Sequence, residues 1–320
     1  ATGTYTISKN IINNTQSMGG SSETAAIDAT GTVTSATIEL NRITTVYNRN
    51  TGTWGVSGII FGGTAVTVKN NTISDLKMDI TGGAAFSTTF GVHGIRCNAG
   101  TNHKVYHNSV NLFGAMFGAA ATNILSSAFS IVGTGQTGIT VYNNFFMNRL
   151  SGGTTGSTAH VGIYLPSAAT VAMNLTINNN AYYCGTDATA QGIGQAGTTA
   201  SAPTYLTLAN LKVYTSTLSG AGTNDNASQG FTATTFAPLT SDADFHIAAG
   251  TITSLESGGI SQVTTGVTTD YEQPTPDVRP GPAGSIYGGA VAPDIGADEF
   301  DGVNNLAPSI SYTALGNTTS

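Results

Sequence analysis

One frame recurs six times in the first 182 residues and limits what this chain can become. Segments 7–12 (ISKNII), 38–43 (IELNRI), 68–73 (VKNNTI), 105–110 (VYHNSV), 141–146 (VYNNFF) and 177–182 (INNNAY) all read Ile/Val-x-x-Asn-x-apolar. Their asparagines are Asn10, Asn41, Asn71, Asn108, Asn144 and Asn180, spaced by 31, 30, 37, 36 and 36 residues. A second phrase, a small residue followed by Ile, alternates with the first at Ile27, Ile59, Ile95, Ile131, Ile163 and Ile193. A unit of this length with two-residue alternation is one coil of a parallel β-helix. Strands at matching positions of successive coils then pair about 4.8 Å apart and stack their apolar residues into interior columns.

The frame assigns roles to its positions. The six asparagines form a structural ladder at the corner between strands, where Asn tolerates left-handed backbone and its amide bonds to the Asn above and below. The residue after the first apolar position runs Ser8, Glu39, Lys69, Tyr106, Tyr142, Asn178 on the outside, placing Glu39 beside Lys69 and Tyr106 beside Tyr142. Two adjacent coils carry long insertions with Phe86, Phe90, Phe113, Met116 and Phe117. Insertions in repeat proteins often build a binding face, but the simpler reading is a satellite core.

Composition agrees with all-β structure. The chain has 320 residues, 41 Gly and only 8% charged residues. Thr, Val, Ile and aromatics favour strands, while Gly and Asn favour turns. The net charge of −7 with ten Lys and Arg argues against a nucleic-acid partner, which requires a basic face. The longest apolar stretch, residues 112–121, is far short of a membrane helix. The start shows no secretory signal, so the chain reads either as cytosolic or as the mature piece of a longer protein.

Few chemical constellations emerge. Residues 1–185 hold only Glu23, Asp28, Glu39, Asp75 and Asp79 as acids. None recurs as the facing pair that glycoside hydrolysis needs, and Asp75 and Asp79 read as sharing one long loop. His93, Arg96, His103, Lys104 and His107 are close in sequence and are expected as polar residues on an exposed sheet. Cys97 and Cys184 lie too many coils apart for a disulfide, so two free buried thiols are expected. No zinc-type spacing or phosphate loop occurs, so no catalytic residue, metal or cofactor is assigned. The densest acidic patch, PDIGADEFDG (293–302), contributes Asp294, Asp298, Glu299 and Asp301. Ile295 and Phe300 are expected to seal the end of the core there. The acids would face solvent, with a bound calcium ion as the lesser alternative.

Domain boundaries follow the rhythm: coils over 1–200, a C-terminal coil and cap region over 201–302, and a linker with the start of a following module over 303–320. Within the second part, 204–218 is the best helical segment and ADFHIAAGTITSL reads as one or two strands. SDADFHIAAGTITSLESGG, TTDYEQPTPDVRPG and APDIGADEFDG, in that order, resemble the end of β-helix modules in giant surface proteins of the Bacteroidota. NNNAYYCGT and LTLANLKVY match the segments that usually precede that end, and APSISYTALGNTTS looks like the start of an immunoglobulin-like module. The resemblance implies a secreted multi-domain protein of the type IX export pathway, displayed on the cell surface or released. It carries over no catalytic residue.

The expectation is therefore an all-β, right-handed parallel β-helix acting as a non-catalytic structural or adhesive segment of an extracellular bacterial protein or fibre. Its partners would be neighbouring domains of the same long chain, other copies, or surface glycans. The alternative is a polysaccharide-binding or lyase-type domain centred on His93, Arg96 and His107.

Overall fold

The computed structural model describes residues 3–82, 86–119, 123–154, 157–197, 204–231, 239–272, 277–279, 292–300 and 302–304. It is an all-β parallel β-helix in which six coils each contribute one strand to each of three sheets, with a seventh strand extending the second sheet. The first sheet stacks Thr4–Ser8, Ser35–Glu39, Val66–Lys69, Lys104–Tyr106, Thr140–Tyr142 and Thr176–Asn178. The second starts after each ladder asparagine and stacks Ile11–Ser17, Arg42–Asn48, Thr72–Met78, Ser109–Ala115, Phe145–Ser151, Ala181–Cys184 and Gln229–Phe231. The third stacks Thr24–Ala29, Val56–Phe61, Val92–Cys97, Leu125–Ile131, Ala159–Leu165 and Gln191–Ala196. Asp75 therefore lies within a strand of the second sheet, not on a loop. There it accepts hydrogen bonds from Tyr47 Oη (2.5 Å) and Thr45 Oγ1 (3.1 Å).

The repeat is realised in register. Ile7, Ile38, Val68, Val105, Val141 and Ile177 pair in sequence across the first sheet. Ile12, Ile43, Ile73, Val110, Phe146 and Tyr182 do so across the second. From the second coil onward both columns are buried in one continuous core. The outer column pairs as the frame implies, with Lys69 Nζ 3.1 Å from Glu39 and the Tyr106 and Tyr142 rings stacked 6.0 Å apart.

At the corner, each ladder side chain from Asn41 to Asn180 receives two bonds and gives others. Asn71 Nδ2 donates to Asn108 Oδ1 (2.9 Å) and to Ile38 O (2.9 Å), while the Asn71 amide also donates to Asn108 Oδ1 (3.1 Å). The same contacts run from Asn10 through Asn41 and on from Asn108 through Asn144 to Asn180, whose amide ends the series on Ser228 Oγ. Left-handed backbone was expected at these asparagines and occurs one residue earlier. Lys9, Leu40, Asn70, His107, Asn143 and Asn179 have φ of 51° to 59°. The preceding residue makes the bend, leaving the ladder Asn free to turn its amide inward.

The third sheet follows the second phrase with two departures. Ile27, Ile59, Ile95, Phe129 and Ile163 form one column, so Phe129 takes the place expected of Ile131. In the last coil Gly194, not Ile193, pairs with Ile163. The small residue before the Ile faces the core at a kink in the pairing. A Cβ on Gly58 would sit 2.7 Å from Ile73 Cγ2, and one on Gly94 would sit 2.4 Å from Val110 Cγ1. The inserted segments cover neighbouring surfaces: Phe86 packs on a satellite cluster of Leu125, Ala159, Val161 and Tyr164, while Phe90 packs on Trp54.

After the coils, helix α1 (Leu208–Ser216) is shorter than the 204–218 segment because Thr207 caps it, its hydroxyl accepting from the Asn210 amide. Leu211 and Leu218 turn into the core, whereas Leu206 and Val213 are exposed. The remaining described chain does not stack as an end plug. It runs back along the corner between the first and second sheets as a lateral clasp. Two strand pieces form within it: Asp244–Ile247 pairs antiparallel with Leu239–Ser241, and Ile252–Thr253 pairs with Val303–Asn304. Ile295 and Phe300, expected to close the end of the core, instead join Phe245, Ile247 and Leu255 against Phe145, Met147, Ala181 and Tyr183 on the outer face of the second sheet. Of the expected linker and following module at 303–320, Val303 and Asn304 form the strand piece paired with Ile252–Thr253, and the rest lies outside the described residues.

Candidate functional site

Of the histidine-rich segment expected on an exposed surface only Lys104 is exposed; the other four residues are buried. His93, Arg96, His103 and His107 are each at most 4% exposed. The inserted segment lies over the third sheet, where Arg96 donates to Thr89 O (2.8 Å) and pairs with Glu23 (2.9 Å). His93 Nδ1 contacts Ser127 Oγ (2.9 Å) and Ser130 Oγ (3.1 Å). His103 accepts from the Val66 amide through Nδ1 and so donates through Nε2 to Ala99 O. His107 accepts from Asn143 Nδ2 at Nε2 (3.0 Å) and faces Gly296 O with Nδ1 (3.3 Å). Burial holds all three imidazoles below their ordinary pKa, and for His93 and His107 far below it. These residues are neutral or paired structural groups facing different neighbours.

The thiols also divide. Cys97 and Cys184 are both free; Cys97 is buried, but Cys184 is only half-buried and lines a groove of about 400 Å³ beside Leu206, Leu208 and Phe231. Burial raises both thiol pKa values, that of Cys184 to about 11.

The acids of PDIGADEFDG do not face solvent. Asp294, Asp298 and Glu299 are at most 6% exposed, while Asp301 lies outside the described residues. Asp294 accepts from the Ser257 amide (2.7 Å) and the Phe300 amide (2.9 Å), folding the motif on itself. Glu299 Oε2 accepts from Arg279 Nη1 (2.7 Å) and the Asp294 amide (3.1 Å). Arg279 is buried and also donates to Gly296 O, Ala297 O, Thr269 O and Asn70 Oδ1. Desolvation raises Glu299 to about 7 despite Arg279, and raises Asp294 well above the carboxylate range with Glu299 and Glu256 adding to it.

The clasp is seated by the left-handed corner residues. Asn70 Nδ2 donates to Thr269 O (2.6 Å), Asn143 both donates to Ile260 O (2.9 Å) and accepts from its amide (2.7 Å), and Asn179 donates to Gly258 O (3.1 Å). Asn or His at this position in four successive coils is the signal that sequence reading missed; the first two coils have Lys9 and Leu40 instead. There the corner leaves a cavity of about 370 Å³ lined by Lys9, Ile11, Leu40, Arg42, His246, Tyr271 and Glu272. A second cavity of about 280 Å³ adjoins it, sharing His246 and Glu272 and adding Asp277 and Asp298.

Titratable groups converge between these cavities. His246 bonds through Nδ1 to Asp244 and through Nε2 to Glu272. Burial lowers the imidazole pKa, but these carboxylates outweigh it and the net shift is upward. Desolvation raises Asp298 to about 7 and Asp270 to about 6. Ligand atoms of His246, Glu272 and Asp298 lie within 4.8 Å of one another, as do those of Asp270, Glu272 and Asp277. A compositional signal accompanies the site: residues 240–320 contain ten Asp or Glu and one Lys or Arg, against seven and nine in residues 1–239.

Fold and site together define a parallel β-solenoid with a lateral acidic clasp. Comparison with protein-family models, curated proteins and solved structures finds no match to the chain.

Proposed function

We propose that this chain is a non-catalytic structural or adhesive segment of a large extracellular bacterial surface protein or fibre. The observation that carries this reading is the uninterrupted amide ladder from Asn10 to Asn180, which commits each coil corner to its neighbour. The burial of His93, Arg96 and His107 supports it, since these side chains act as internal fasteners. A rod of locally stacked coils gains stability unit by unit and suits load-bearing extension.

A second reading, polysaccharide binding, moves with the geometry away from that buried cluster. The corner cavity offers the Tyr271 ring, the cations Lys9 and Arg42 and the acceptor Glu272, a set suited to an acidic sugar. The protein should be incubated with a panel of neutral and acidic polysaccharides while new reducing ends and unsaturated products are followed. It should also be stretched in single-molecule force spectroscopy. The structural reading expects no turnover and stepwise release of coils under force. Sustained product formation by the purified protein would overturn it.

A further inference from the structure

We propose that Asp270, Glu272 and Asp277 form a calcium-binding site that locks the clasp onto the coils. The inference goes beyond the structural reading and does not depend on it. Each residue supplies an oxygen within 4.8 Å of the others. Two ligands on opposite sides of a calcium ion, each at about 2.4 Å, are about that far apart. An all-carboxylate set suits a hard cation that tolerates irregular coordination better than it suits magnesium, which demands near-octahedral geometry.

The second observation is an orphaned atom. Asp270 is fully buried; its Oδ1 accepts from the Glu272 amide (3.1 Å) and the Asp277 amide (2.9 Å), but its Oδ2 has no hydrogen-bond partner. A buried carboxylate oxygen without a donor costs desolvation that nothing offsets. The nearby Arg279 does not relieve it, because its guanidinium is committed to Glu299, Asn70 and three carbonyls. Glu272 and Asp277 bring further negative charge to the same point. A divalent cation there satisfies the orphaned oxygen and neutralises the cluster together. The site lies one step from the Asn70 contacts to Thr269 O and Asp270 O, so filling it tightens the clasp on the third coil.

Calorimetric titration of the chelator-treated chain with calcium chloride should show one site, and saturating calcium should raise Tm by about 5 °C. In Asp270→Asn the amide oxygen still accepts the two backbone bonds, so the variant folds. It should be at least as stable as the parent without calcium and should lose the calcium-dependent rise. Asp277→Asn should weaken calcium binding at least tenfold with little change in calcium-free Tm. Magnesium at the same concentration should produce a smaller rise. No heat and no Tm change with calcium would overturn the proposal, as would a full calcium response in a chain carrying both Asp270→Asn and Asp277→Asn. Binding of zinc in preference to calcium, lost in His246→Ala but retained in Asp277→Asn, would also overturn it by placing the ion on the neighbouring histidine group.

Discussion

The coils and the clasp both bury many polar groups, and they do so by opposite chemistry. In the coils the buried groups are mostly neutral, amides of Asn41 through Asn180 and imidazoles kept uncharged, with Arg96 paired to Glu23 as a charged exception. Each Asn carries donors and an acceptor in one small planar group, so a column satisfies itself by repetition. In the clasp the groups are carboxylates, and the single arginine of residues 240–320 pairs with one of them, Glu299. A repeated neutral contact spreads its contribution over many equivalent units, whereas an unrepeated charged cluster rests on a few residues.

The sharpest way to break this contrast is to remove Arg279. Arg279→Ala leaves Glu299 buried without its counter-ion and four acceptors without their donor, which should cost about 4 kcal/mol. Hydrogen exchange should show protection lost across 239–300 and retained in the coils. Next in size, Asn108→Ala interrupts the ladder where it is fully buried. With the Asn71 backbone amide left without its acceptor and Asn71 Nδ2 losing one of its acceptors, a loss of about 3 kcal/mol is expected in denaturant unfolding. Asn10→Ala, at the exposed start of the series, should cost about 1 kcal/mol or less.

Acidification should separate the two regions by sign. His160, held at about 4 by burial, and His93 and His107, held far below their ordinary value of about 6.5, bind fewer protons folded than unfolded. Their contribution is present above about pH 6.5 and lost as pH falls toward 4. Glu299 and Asp294 are raised and bind more protons folded than unfolded, so their contribution grows as pH falls from about 7 to 4. Segment-resolved exchange at pH 7 and pH 4.5 should therefore show coils weakened relative to the clasp. The smallest effect expected is at the half-exposed Glu39–Lys69 pair, where a double-mutant cycle should give about 0.5 kcal/mol, reduced by salt.

The coils were legible because their contacts repeat. Frame positions 30 to 37 residues apart meet in register, so one sequence column predicts one spatial column. The error at the corner came from the same compactness: in Asn70–Asn71, His107–Asn108 and Asn179–Asn180 two adjacent polar residues could each make the bend, and the φ angles assign it to the first of each pair. The clasp was illegible as geometry because its contacts are unique and distant, such as Arg279 to Asn70 across 209 residues. No period announces a pairing that occurs once. Only its charge was visible beforehand, as an acidic motif whose burial depended on where the chain turned back.

The corner grips have a bearing on how such a molecule can change length. They fall on Asn70, His107, Asn143 and Asn179, four consecutive coils, and the clasp matches their spacing. Removing a coil between Asn70 and Asn179 would shift the remaining grips by about 4.8 Å and leave the clasp without seats. Among the described residues, the coils of Lys9 and Leu40 carry no such grip. Length is thus free to vary at one end of the solenoid, while the other is held to a fixed gauge.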